Sequence, residues 1–151
     1  MADQAPELLS QQGARLRQIY DSMWSEAAAA LATDTMGADP TPSDDSMRWG
    51  VSAVLRPAGH VATRLHQVSQ EMVVFTGKYH AAYDRSSIHT TLRSLEAYRA
   101  QVPPEDALVQ RYAAIVSEII AEMPPIELVY QGLTIMGVGV VAQGWPVGET
   151  C

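Results

Sequence analysis

The stretch SSIHTTLRSLEAYR, residues 86–99, decides how this chain is read. Its Ile, Thr and Leu content favours an extended strand. Successive side chains on a strand point to opposite faces. The spacing therefore predicts that His89, Thr91 and Arg93 share one face, with Ile88, Thr90 and Leu92 on the other. An imidazole, a hydroxyl and a guanidinium on one face can grip a phosphate and move a proton. The same alternation also fits an ordinary solvated strand face, so the residues alone leave both readings open.

Outward from that strand the pattern is mixed. Residues 6–33 read as one helix, with Pro6 in the first turn and Leu9, Leu16, Ile19, Tyr20, Met23, Ala27 and Leu31 at three- and four-residue steps. Gly13 is the weak point of its first half. Residues 33–47, TDTMGADPTPSDDSM, carry the Asp, Pro, Ser and Thr of a linker or loop. WGVSAVLRP, from Trp49, reads as a strand closed by Pro57. The helix after it aligns Val61, Leu65, Val68 and Met72 in one apolar stripe. MVVFTG, residues 72–77, then reads as a short strand, and KYHAAYDRSS as a polar loop. PPEDALVQRYAAIVSEIIAEMPP reads as a helix with a proline start and acids in its first turn. Its stripe is Leu108, Tyr112, Ile115, Ile119 and Met123. IELVYQG and GVGVVAQG read as two strands joined by an LTIM bend. After the leading helix and loop, the order β-α-β-β-α-β-β predicts an α+β fold, a mostly antiparallel sheet with helices packed on one face.

Composition narrows the function. At 151 residues with 47% apolar content, the chain can bury a core. Of the net charge of −7, residues 1–48 hold eight acids against three bases, and the remainder nine against seven. No cluster of Lys and Arg marks a binding face for long nucleic acid. A small phosphoester or a short oligonucleotide needs only a few local donors. The single cysteine, Cys151, excludes an intrachain disulfide and speaks against a cysteine metal site. No secretory leader pattern opens the chain and no apolar run is long enough for a membrane span, so the expected location is cytoplasmic.

Other candidate sites are weaker. GVGVVAQG has glycines, but the third is misplaced for a dinucleotide loop, and the WPVGETC stretch that comes next leaves no room for the helix such a loop needs. His60 and His66 are six residues apart, on different faces of their helix, and read as solvated side chains, not as metal ligands. Tyr79 and His80, in the polar loop with Lys78, are candidate substrate-binding residues, as is Arg93. No metal site is expected.

His89-Thr90-Thr91-Leu92 has the form His-x-Thr followed by an apolar residue. With WGVSAVLRP before it and IELVYQGLTIMGVGVVAQGWP after it, residues 48–146 resemble the first lobe of the 2H phosphoesterase superfamily, which includes 2′-5′ RNA ligases and cyclic nucleotide phosphodiesterases. The resemblance implies a phosphoesterase-like lobe over residues 48–151, behind an N-terminal amphipathic helix (1–33) and an acidic linker (34–47). It implies metal-free, cofactor-free chemistry on a 2′,3′-cyclic or 2′-5′ phosphodiester. His89 would be one of an acid/base pair and Thr91 a phosphate ligand. In that family two such motifs face each other across a cleft. This sequence holds one, since HVAT at 60–63 has one residue too many and HAAY lacks the threonine. The second histidine is therefore expected from a second lobe or from a second chain in a homodimer. The alternatives are a non-catalytic ligand-binding or assembly module, and an enzyme using the same scaffold on a substrate without phosphate.

Overall fold

The computed structural model describes residues 11–37, 50–76, 81–98, 101–137 and 139–147. Among them the chain is a mixed α and antiparallel-β protein. Its elements are α1 (Gln11–Ala32), β1 (Ser52–Leu55), α2 (Gly59–Thr76), a short 3-10 turn (Arg85–Ser87), β2 (Thr90–Ser94), α3 (Ala107–Ala121), β3 (Leu128–Met136) and β4 (Gly139–Pro146). The expected single sheet is instead two two-stranded sheets, β1–β2 and β3–β4. They belong to two compact units, one built from residues 1–41 and 122–151 and the other from residues 42–121.

The first unit is α1 laid against the β3–β4 hairpin. Helix α1, expected from the sequence to stand outside the lobe, thus shares a unit with its last two strands. Leu16, Tyr20, Met23, Ala27 and Ala30 follow four- and three-residue steps and are the less exposed positions of the helix, with Ala27 buried. Ile19 and Leu31, also placed in the stripe from sequence, are exposed. The helix runs unbroken through Gly13, which is buried.

Polar ties then lock the helix to the hairpin. The Tyr20 hydroxyl donates to the Gly144 carbonyl at 2.9 Å and accepts from the Gly144 amide at 3.0 Å, so one side chain satisfies both main-chain groups of one residue. Thr134, the most deeply buried side chain at 1% exposure, donates its hydroxyl to the Tyr20 carbonyl at 3.1 Å. The Tyr20 ring meets buried Trp145 edge-on at 5.1 Å, and the Arg17 guanidinium lies 5.5 Å from the Trp145 ring.

In the hairpin, the LTIM segment is strand, not a bend, because the chain reverses at Gly137, where φ is +49. The irregularity lies earlier. Tyr130 pairs with Gly144 and Leu133 with Ala142, so Gln131 and Gly132 together oppose Gln143. This is a β-bulge. Gly132 has φ +91, a backbone conformation that favours glycine, while the group nearest a β-carbon there would be the movable end of the Gln143 side chain. The bulge also presents the Gln131 carbonyl to Trp145 Nε1 at 2.9 Å.

In the second unit, β1 pairs antiparallel with β2, and α2 follows β1. Val61, Leu65, Val68 and Met72 are half-buried and Ala62 is buried, which bears out the α2 stripe. The strand expected over 72–77 is absent from its described part, since α2 continues to Thr76. Adding a residue to an existing helix costs far less than starting one, and this outweighs the β preference of Val-Val-Phe. Val74 and Phe75 are left 81% and 89% exposed as a result. Helix α3 starts after its acids, not through them: Asp106 caps it, accepting the amides of Leu108 at 2.9 Å and Val109 at 3.1 Å. Of its expected stripe, Tyr112 is half-buried, whereas Leu108, Ile115, Ile119 and Met123 are exposed.

Two outcomes follow for stability. Tyr20→Phe removes both bonds to Gly144 and is expected to lower unfolding free energy by about 1–3 kcal/mol in urea titrations followed by tryptophan fluorescence. Asp106→Ala is expected to cost about 0.5–2 kcal/mol and to reduce helical circular dichroism, with Asp106→Asn recovering most of the loss.

Candidate functional site

His89 sits immediately before β2 and is exposed. Its Nδ1 lies 2.7 Å from the Ser87 carbonyl, which can only accept, so Nδ1 carries a proton in this contact. In the neutral ring that leaves Nε2 as the basic nitrogen. The 3-10 turn Arg85–Ser87 supplies the carbonyl, and Asp84, extended at ψ 150, precedes that turn. Backbone geometry thus fixes the tautomer of an exposed imidazole.

Thr91 is exposed and, two residues on in the strand, shares the face of His89. Arg93 does not share it. Val54 pairs with Thr91 and Ala53 with Arg93, so two adjacent β1 residues face partners that are two apart on β2. Directly paired residues project to the same face, and Ala53 and Val54 project to opposite faces. Leu92 is the extra residue of a bulge that throws Arg93 out of phase with Thr91. The alternation expected across residues 89–93 therefore breaks at one residue.

Another guanidinium is tied to the turn that holds His89. Leu55, the last residue of β1, pairs with Thr90, the first of β2, and Arg56 and His89 are the residues just outside that pair. Arg56 Nη1 donates to the Ser86 carbonyl, adjacent to the carbonyl that holds His89. The sequence reading passed over Arg56; its signal was the position at the end of WGVSAVLRP, one step beyond the strand and before Pro57.

Beside these residues is an open hollow of about 540 Å³, between the β1–α2 corner and the 3-10 turn. Arg56, Arg85 and Asp84 line it, with Pro57, Ala62 and Ile88 among its apolar surface. Tyr79 and His80, expected as binding residues, lie outside the described residues. His60 is exposed, as expected, but His66 is half-buried and its Nδ1 is buried without a hydrogen-bond partner among the described residues, contrary to the solvated side chain the sequence suggests. Among the described residues no group of three His, Cys, Asp or Glu side chains could hold a metal ion, and no helix is long and apolar enough to cross a membrane.

No family model, curated protein or solved structure matches the chain.

The bulge at Leu92 can be removed by deletion. Leu92 is accommodated because the bulge absorbs it; deleting Leu92 restores a regular ladder in which Arg93 directly follows Thr91 and stays on the opposite face. The deletion variant is expected to stay folded with a more regular β1–β2 pair, seen as continuous cross-strand nuclear Overhauser contacts from Ser52 to Leu55.

Proposed function

We propose that the chain is a phosphoesterase-like protein acting on a 2′,3′-cyclic or 2′-5′ phosphodiester without a metal, a 2H-type lobe with His89 as general acid/base and Thr91 as phosphate ligand. The observation that carries the reading is the exposed His89, with Nδ1 held by the Ser87 carbonyl and Thr91 next along the same face. An imidazole anchored through Nδ1 has Nε2 free to take the proton of a water attacking phosphorus. The P–O bond to the leaving oxygen then breaks, and that oxygen takes a proton from a second acid. The Thr91 hydroxyl donates to a non-bridging oxygen, where charge builds up.

The second acid is the histidine of another lobe or of a second copy of the chain, because the sequence carries one His-x-Thr. A two-fold dimer that sets His89 opposite its symmetry mate would supply it. The chain's acidic character and dispersed cations suit a small or short substrate and not a long duplex.

The test is hydrolysis of a panel of 2′,3′-cyclic nucleotides and 2′-5′ dinucleotides, with the particle mass measured by light scattering on the same sample. Turnover is expected, His89→Ala is expected to reduce kcat by about 10²–10⁴-fold, and Thr91→Val by about tenfold or more. Turnover that persists in His89→Ala rules out the acid/base assignment. No turnover from a dimer at high protein concentration favours a non-catalytic binding or assembly module instead.

A further inference from the structure

The hollow between the β1–α2 corner and the 3-10 turn is not used by the chemistry assigned to His89. Its two arginines hold each other's elements. Arg56, which follows β1, reaches the Ser86 carbonyl in the turn, and Arg85, in the turn, reaches the Gly59 carbonyl at the start of α2 at 3.4 Å. These crossed bonds fix both guanidiniums in the wall of one hollow. Each guanidinium has five N–H donors, so most donors of each remain after these bonds.

Charge makes the arrangement unusual for this chain. The sequence carries 17 acids against 10 bases, yet among the described residues neither Arg56 nor Arg85 is in an ion pair, while Arg64 pairs with Glu71 at 3.3 Å. Asp84 lines the same hollow without bonding to either arginine, and leaves it with two positive groups to one negative. Pro57, Ala62 and Ile88 contribute an apolar surface beside them. The volume of about 540 Å³ falls in the range of small-molecule sites.

We infer that this hollow binds a small molecule carrying a phosphomonoester, with the phosphate held by Arg56 and Arg85 and the organic part against the apolar surface. Arginine is suited to this because its planar fork gives paired, charge-assisted bonds to phosphate oxygens. Asp84 acts in the opposite sense, repelling the anion and limiting its residence. The inference stands apart from acid/base chemistry at His89.

Adenosine 5′-monophosphate and adenosine are the probes, titrated into the isotope-labelled full chain and followed by amide chemical shifts. The monophosphate is expected to shift residues 56–62 and 84–88 saturably, inorganic phosphate to compete with it, and adenosine to shift them at least tenfold more weakly. Arg85→Gln is expected to weaken the monophosphate about tenfold, and Asp84→Asn to tighten it severalfold. Raising the salt concentration should weaken binding. Should Arg85→Gln unfold, as circular dichroism would reveal, Asp84→Asn in the intact wall still decides the sign. Equal binding of adenosine and its monophosphate, no saturable shift at millimolar monophosphate, or no tightening in Asp84→Asn would overturn the site. Phosphomonoester binding without phosphodiester hydrolysis would sink the catalytic reading and leave this one intact; hydrolysis without binding here would do the reverse.

Discussion

One phenol hydroxyl holds the first unit together. Tyr20 and Gly144 are 124 residues apart, and the Tyr20 side chain gives Gly144 both a donor and an acceptor. Around that contact Thr134 bonds the Tyr20 carbonyl and Trp145 meets the Tyr20 ring. The buried side chains in this unit are small or few: Ala27, Thr134 and Trp145 among the described residues. With so little apolar area removed from water, hydrogen bonds placed in the seam between helix and hairpin matter more than they would in a thick core. Gly132 is the geometric condition for this seam, because its bulge turns the Gln131 carbonyl toward the Trp145 indole.

The second unit solves a different problem with similar means. Here a bulge at Leu92 and a short turn set the direction of a few polar groups, and consecutive carbonyls of that turn take up Arg56 and His89. Main-chain acceptors do the orienting, so the positions of the two side chains depend on backbone shape more than on packing. A surface imidazole is usually free to rotate, but one bonded through Nδ1 is limited in both tautomer and direction. The adjoining hollow depends on the same turn, through Ser86 and Arg85.

Periodicity made the three helices and most of the strands legible. The four-three steps of α1 and α2 appear as their less exposed faces, and the β3–β4 pair falls close to where the sequence puts two strands. What the sequence concealed was local competition and long-range partnership. Val73, Val74 and Phe75 favour a strand by type, but they follow an established helix and extend it. LTIM looks like a joint between glycines, yet the turn falls at Gly137 because the bulge at Gly132 consumes the earlier glycine. Alternation places Arg93 in phase with Thr91, and a bulge that leaves no mark on a two-residue period puts it out of phase. Arg56 was hidden because the carbonyl it bonds, that of Ser86, is 30 positions further along the chain.

The division of the chain into units also sets an order of events during synthesis. Helix α1 leaves the ribosome long before the strands it packs on, with the whole second unit made in between. At about 5–20 residues per second, the 124 positions between Tyr20 and Gly144 correspond to roughly 6–25 s. For that interval the nascent helix has an apolar face with no hairpin to cover it, while residues 42–121 can already collapse behind it. The seam between α1 and β4 is therefore a late event, closed only after the intervening unit has been made.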